Sequence, residues 1–304
     1  MRGILNLVRW KNLLLIALVQ LLIKYAFLES FGVDFGLSTL QISILVIATV
    51  CIAAAGNVIN DIYDVETDFV NNPDKLIVGK FISEKTAYNV FIVLNVIGVG
   101  LGYYLSQSVG RIGFFSIFVV ISALLYVYAS YLKPAFLIGN IIISALVALS
   151  IIVVGIFEIL PIITTENRQT LFTFFKIILD YALFAFIINL IREIAKDIED
   201  IDGDYKAGMR TLPIVIGRER AGNILFILTL IPLFAVSYYT INSLYKNQVA
   251  VIYFLVLIIA PLLYISIKSF NAKTKNDYHH ISNVLKLVML FGMLSLLIYL
   301  PILR

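Results

Sequence analysis

The chain predicts an all-α, multi-pass membrane protein of nine transmembrane helices, with the N-terminus cytoplasmic. Three observations lead there. Of 304 residues, 61% are hydrophobic and only 14% charged, where a soluble chain usually carries about 25% charge. The apolar residues gather in runs near 20 long, enough to cross about 30 Å of hydrocarbon as a helix. Lys and Arg collect on alternate sides of those runs.

The runs fall at 10–29, 38–59, 85–106, 112–131, 136–160, 171–192, 219–241, 248–267 and 282–302. Lys24 interrupts the first, where it would snorkel toward the interface. Three long polar segments remain, about 60–84, 193–218 and 268–281, the last holding His279 and His280. An odd number of spans with the N-terminus inside puts all three on one side, with the turn at 131–134. That side carries Arg2, Arg9, Lys11, Lys75, Lys80, Lys85, Lys133, Arg192, Lys196, Lys206, Arg210, Arg218, Arg220, Lys268, Lys273 and Lys275. The other carries Arg111, Arg168, Lys246 and Arg304. The imbalance orients the polar segments toward the cytoplasm of a cell membrane.

The start, Met1 to Lys11, is basic and amphipathic and leads into further spans, so it does not read as a cleavable leader. One cysteine, Cys51, rules out an internal disulfide. A net charge of +4 suits basic cytoplasmic loops, and nothing supports nucleic-acid binding. P-loop, dinucleotide-binding and nucleophile-elbow patterns are missing from the sequence.

The chemistry gathers in two polar segments. Asn60-Asp61-Ile62-Tyr63-Asp64-Val65-Glu66-Thr67-Asp68 places aspartates at 61, 64 and 68, and 197, 200 and 204 repeat that spacing. On a continuous helix, steps of three and four put all three carboxylates on one face over about 10 Å. Such a stripe repels itself unless a hard divalent cation sits there, and oxygen ligands suit Mg²⁺, which bridges readily to phosphates. Asn57 and Asn60 add carbonyl oxygens without charge. One acidic loop reads equally well as a solvated turn; two of one register on one side of one membrane favour a metal clamp for a diphosphate. A diphosphate also needs cations and donors, for which Lys133, Lys75, Lys80, Arg192, Lys196 and Arg210 are candidates, with Tyr128 and Tyr131 as phenols. The repeated motif suggests one domain, 1–304, with an internal duplication at about 1–135 and 136–304.

These residues resemble a known family. The segment around Asn57 to Asp68, Tyr131-Leu132-Lys133, and Arg192 to Asp204 are similar to the UbiA superfamily of intramembrane prenyltransferases. The resemblance implies a bundle of nine helices around a central cavity and two Mg²⁺ ions, one held by Asn60, Asp61, Asp64 and Asp68 and the other by Asp197, Asp200 and Asp204. It implies Lys133 and Tyr128 at the diphosphate, with Asp64 and Asp200 indispensable, and transfer of an isoprenoid from its diphosphate to a lipophilic acceptor. Arg192 to Asp200, Gly203-Asp204 and Arg210 to Gly217 look most like the branch that makes digeranylgeranylglyceryl phosphate, an ether lipid. The continuation Pro73-Asp74-Lys75-Leu76-Ile77-Val78-Gly79-Lys80 departs from that branch's usual pattern, and relatives that prenylate quinone precursors share the metal motifs.

Two other classes remain for comparison. A secondary transporter has many spans, but places ionisable residues near the bilayer midplane, and the sequence is read as having no acid there. A CDP-alcohol phosphatidyltransferase uses one membrane-edge aspartate cluster, matched only superficially at Asp200-Ile201-Asp202-Gly203. Both fit less well than a prenyltransferase.

Overall fold

The computed structural model describes residues 2–31, 36–71, 73 and 76–298. Among them the regular structure is helical, apart from an isolated bridge between Val78 and Ile82, and turns and irregular segments join the helices. Among the described residues nine helices are long and apolar enough to cross a membrane: Trp10–Phe31, Thr39–Tyr63, Glu84–Ser108, Ile112–Leu132, Ile138–Ile162, Arg168–Glu199, Arg218–Leu244, Gln248–Asn271 and Lys275–Ile298. They are called the first to ninth spans below. Side chains such as Val96, Phe234 and Ile267 lie more than half exposed along them, which suits lipid rather than water as the solvent.

The boundaries depart from expectation at two spans, each time because polar residues are helical. The sixth span runs to Glu199, and its 32 residues extend about 48 Å, more than the hydrocarbon needs. Its last turns therefore lift the second motif to the membrane edge. The ninth span begins at Lys275 rather than near 282, so His279 and His280 are helical and not in a loop. Thr274 starts it: the Thr274 hydroxyl accepts from the Asp277 N–H, and the Asp277 carboxylate accepts from the Thr274 N–H. This capping box satisfies backbone donors that a polar helix start would otherwise expose.

A second correction concerns midplane charge. Asp180 lies twelve residues into the sixth span and is exposed, so one span does carry an acid far from its ends. Lys176, one turn earlier, shares its face and offsets the charge.

The chain forms two compact units. The first comprises Met1–Lys133 and Leu149–Asp180. Within it the second span packs along the third, where Gly98 is required: a Cβ there would lie 2.6 Å from the Ile52 side chain and 3.0 Å from the Ala48 carbonyl. Small residues let spanning helices approach at backbone distance. A buried polar column also crosses this unit. Gln20 donates to the Ser150 carbonyl (2.8 Å) and accepts from Thr49 (3.0 Å). One turn on, Lys24 meets the Glu158 carboxylate at 3.1 Å and donates to the Leu37 carbonyl at 2.8 Å. The Leu37 N–H donates to Glu158 in turn (3.0 Å). Glu158 is wholly buried and Lys24 nearly so.

The second unit comprises Pro134–Ala148 and Tyr181–Arg304. Its core joins Ile188, Ile191, Ile194 and Ile198 of the sixth span to Leu225, Leu262, Ile265, Tyr278, Ile281 and Leu285. These spacings of three and four residues define one apolar face of each helix.

Candidate active site

Each aspartate motif is built by the same local device. The second span ends at Tyr63, Asp64 takes φ −91°, ψ 1°, and a short helix, Val65–Asn71, follows. The sixth span ends at Glu199, Asp200 takes φ −99°, ψ 10°, and a short helix, Ile201–Lys206, follows. The hydrogen bonds correspond as well. Asp64 N–H donates to the Asn60 carbonyl (2.9 Å) and Asp68 N–H to the Asp64 carbonyl (2.8 Å). Asp200 N–H donates to the Lys196 carbonyl (2.8 Å) and Asp204 N–H to the Asp200 carbonyl (3.1 Å). The continuous helical stripe expected from the spacing is thus broken at its middle residue in both motifs. Aspartate tolerates this sparsely populated backbone region, which recurs at active sites.

In the first unit, Asp64 is buried and forms an ion pair with Lys133 through both carboxylate oxygens. Lys133 caps the π-helical turn Tyr128–Leu132, its N–H donating to the Tyr128 carbonyl (2.9 Å). Tyr128 is buried, whereas Tyr131 is 73% exposed. Asp61 is held by Arg9, whose Nη2 lies 2.6 Å from Oδ1. Arg9 is left-handed (φ 52°, ψ 51°) between the helix Arg2–Leu7 and the first span. Asn57 clasps this turn, its Nδ2 donating to the Val8 carbonyl at 2.9 Å. One amide hydrogen of Asn57 thus serves the fold. Lys75 lies outside the described residues.

In the second unit, Asp197 accepts from Asn140 of the fifth span (2.9 Å), and Asp204 is buried. Arg192 and Lys196 both turn to Glu193, at 2.8 and 2.9 Å. Arg210 is exposed, and its N–H ties it to the Pro134 carbonyl at 2.9 Å. Lys275 approaches Asp200 at 3.8 Å, and His279 lies 2.9 Å from Glu199.

Among the described residues no three His, Cys, Asp or Glu side chains converge as a ready metal cage. Arg9, Lys133 and Asn140 hold carboxylates instead, and those are partners a divalent ion would displace. The donors nevertheless fit Mg²⁺. They are hard oxygens from carboxylates, as Mg²⁺ requires, and the Asn60 Oδ1 is shut from solvent yet accepts no hydrogen bond among the described residues. A buried acceptor left in that state needs a partner.

Asp68 is half-buried. Burial, with the Asp64 charge adding to it and Lys133 opposing, pushes its carboxyl up to about 6. Below about pH 6 the carboxyl keeps its proton in the folded, metal-free state, and there metal must displace it on binding. Mg²⁺ affinity is expected to fall as pH drops through about 6, approaching tenfold per unit below it. Asp68→Asn should remove that step. Mn²⁺ binding followed by electron paramagnetic resonance between about pH 5 and pH 8 measures it; a flat wild-type profile would refute Asp68 as a ligand.

Sequence reading missed Arg9, Asn140, Glu199, Lys275 and His279 at these motifs. Arg9 and Lys275 carried a signal only as cytoplasmic-side charge. Asn140 showed as one polar residue in an apolar run. For the Glu199–His279 pair, nothing in sequence joins positions 80 apart.

The chain's residues 14–299 match the model of the UbiA prenyltransferase family. Over 258 residues it is 30% identical to the digeranylgeranylglyceryl phosphate synthase of Methanosphaera stadtmanae, covering 83% of this chain and 86% of the relative. The synthase of the same name from Korarchaeum cryptofilum is 32% identical over 249 residues, 80% of each chain. In structure, the fold matches a digeranylgeranylglyceryl phosphate synthase (TM-score 0.60, 23% identity, 97% and 98% of the chains). It also matches a UbiA homolog from Archaeoglobus fulgidus bound to GPP and Mg²⁺ (TM-score 0.55, 17% identity, 97% and 99%). A UbiA homolog from Aeropyrum pernix gives a TM-score of 0.66 at 12% identity, over 97% and 98%. With nine apolar helices, two aspartate motifs of one geometry and a family match across nearly its whole length, the chain belongs to the UbiA prenyltransferase family.

Proposed function

We propose that the protein transfers a geranylgeranyl group from its diphosphate to the free hydroxyl of geranylgeranylglyceryl phosphate, forming an ether lipid at the cytoplasmic face of the cell membrane. The observation that carries this reading is the run of about 30% identity to digeranylgeranylglyceryl phosphate synthases across four fifths of the chain. Mg²⁺ dependence follows from the donor set of the two motifs. Asn60, Asp61, Asp64 and Asp68 would hold one ion and Asp197, Asp200 and Asp204 another. The chain reads as one catalytic domain, and the shared turn at Asp64 and Asp200 supports an origin by duplication.

Bound Mg²⁺ would neutralise the diphosphate and stabilise the charge it gains as leaving group. The chain's own residues do the rest. Lys133 balances Asp64; with Asp64 holding a metal, that ammonium would be placed to meet a phosphate oxygen. Lys133 keeps its place because its N–H caps the Tyr128 turn. Arg9 does for Asp61 what Lys133 does for Asp64. The apolar spans receive the prenyl tail, at about 0.8 kcal/mol per buried CH₂, and exclude water that would capture a developing allylic cation. In the transfer, the allylic C–O bond breaks and diphosphate departs with the electron pair. The acceptor oxygen forms the new C–O bond and loses its proton.

The test is an assay of the purified, detergent-solubilised protein with geranylgeranyl diphosphate and Mg²⁺. Geranylgeranylglyceryl phosphate is offered beside dihydroxynaphthoate and hydroxybenzoate, with chelator as control. Ether product from the glyceryl phosphate alone is expected. A prenylated aromatic product would move the protein to quinone precursors and refute the acceptor.

A further inference from the structure

We propose that the first two turns of the ninth span belong to the second motif's site, with His279 and Lys275 as positioning residues that grip the turn at Asp200. The inference rests on the reading that Asp200 serves prenyl transfer, and it concerns residues that carry no metal themselves.

The start of the ninth span is fixed before it reaches the motif. The Thr274–Asp277 capping box sets its first residue, and the Asp277 carboxylate also accepts from the Lys273 N–H (3.2 Å) and lies 2.6 Å from the Lys268 ammonium. Lys275 and His279 are then four residues apart, hence on one face. That face meets two consecutive residues of the motif. His279 Nδ1 lies 2.9 Å from Glu199 Oε1, and Lys275 Nζ lies 3.8 Å from Asp200 Oδ1.

The position of these contacts gives them a role. Glu199 is the last residue of the sixth span and Asp200 is the turn itself. Backbone bonds run through Asp200 in both directions, from its N–H to the Lys196 carbonyl and to its carbonyl from the Gly203 and Asp204 N–H groups, so the angle of the second piece follows the placement of Asp200. Grips on the last residue before the break and on the turn residue itself add to that constraint. Glu199 is 9% exposed, and a buried carboxylate needs a donor. His279 is half exposed, so it is free of the core packing that would explain its place otherwise. Outer residues of this kind orient metal ligands, and losing one typically costs 10–100-fold in metal affinity or activity. The half-exposed setting puts the expected loss here at about tenfold.

Two readouts test this, the first without metal. Hydrogen exchange of the metal-free protein is measured at the amides of residues 200–206. His279→Ala should speed their exchange about tenfold, and His279→Gln, which keeps a donor for Glu199, should restore most of the protection. Mn²⁺ binding by electron paramagnetic resonance should weaken about tenfold in His279→Ala and recover in His279→Gln. Lys275→Gln, whose side chain is 41% exposed, repeats the exchange measurement if His279→Ala yields little folded protein. Unchanged exchange and unchanged Mn²⁺ affinity in the His279 and Lys275 variants would overturn the inference. So would a His279→Gln protein that behaves like His279→Ala. Asp200→Ala, assayed for prenyl transfer alongside, separates this from the functional reading: full activity there sinks the role of the motif, while the metal-free exchange still judges the grip.

Discussion

Replacing Asp64 or Asp200 with alanine is expected to lower kcat/KM for prenyl transfer by about 10³-fold or more, the scale on which a positioned electrostatic stabiliser acts. The variant proteins should remain folded. Asp64 is buried, but its partner Lys133 keeps a side chain 25% exposed, so water can solvate the ammonium once the carboxylate is gone. Asp200 is half-buried at a turn outside the apolar core of its unit, and its loss removes no member of that core. Size-exclusion behaviour and thermal unfolding in detergent would check the fold, and product formation from geranylgeranyl diphosphate would check the chemistry. A near-normal rate in either variant contradicts the metal-holding role of that motif.

The second large effect concerns stability, and it lies far from the motifs. Lys24→Met would leave Glu158 wholly buried with its charge unbalanced. Removing one partner of a buried pair costs about 3–5 kcal/mol. For a chain of this size that corresponds to a fall in Tm of the order of 10 °C. The double variant Lys24→Met, Glu158→Leu should recover most of the loss, because apolar residues can replace a buried ion pair at little cost. The Leu37 N–H and carbonyl, which both bond to this pair, would then be left without those partners, so recovery should be incomplete. A double variant no more stable than the single one would show that the pair's charge balance is not what holds this end of the first and fifth spans.

These two predictions separate what the motifs do from what holds them in place, and the sequence distinguishes the two unequally. The spans were legible because lipid imposes a long, continuous apolar run on any helix that crosses it. Eight of nine starts were placed within a few residues. The ninth was placed late, because a polar helix start carries no hydropathy signal; its capping box does show in the sequence, as Thr274 followed three residues on by Asp277. The aspartates were legible because their spacing repeats, and repetition needs no structure to be seen.

What the sequence by itself determined is therefore the membrane class, the nine spans, the two metal-suited motifs and the family. Spacing also led to one wrong detail, the unbroken helix through each motif, since i, i+3, i+7 fits a helix whether or not it breaks at the middle residue. Only the tertiary structure decided that Asp64 and Asp200 sit at matching turns, and that Arg9, Asn140 and the start of the ninth span attend the motifs. The physical reason is range. Helix formation and membrane crossing depend on neighbours within a few turns, so local sequence encodes them. Arg9 with Asp61, Lys24 with Glu158, and Glu199 with His279 join positions 52, 134 and 80 apart, and such partners are chosen by packing that no local pattern records.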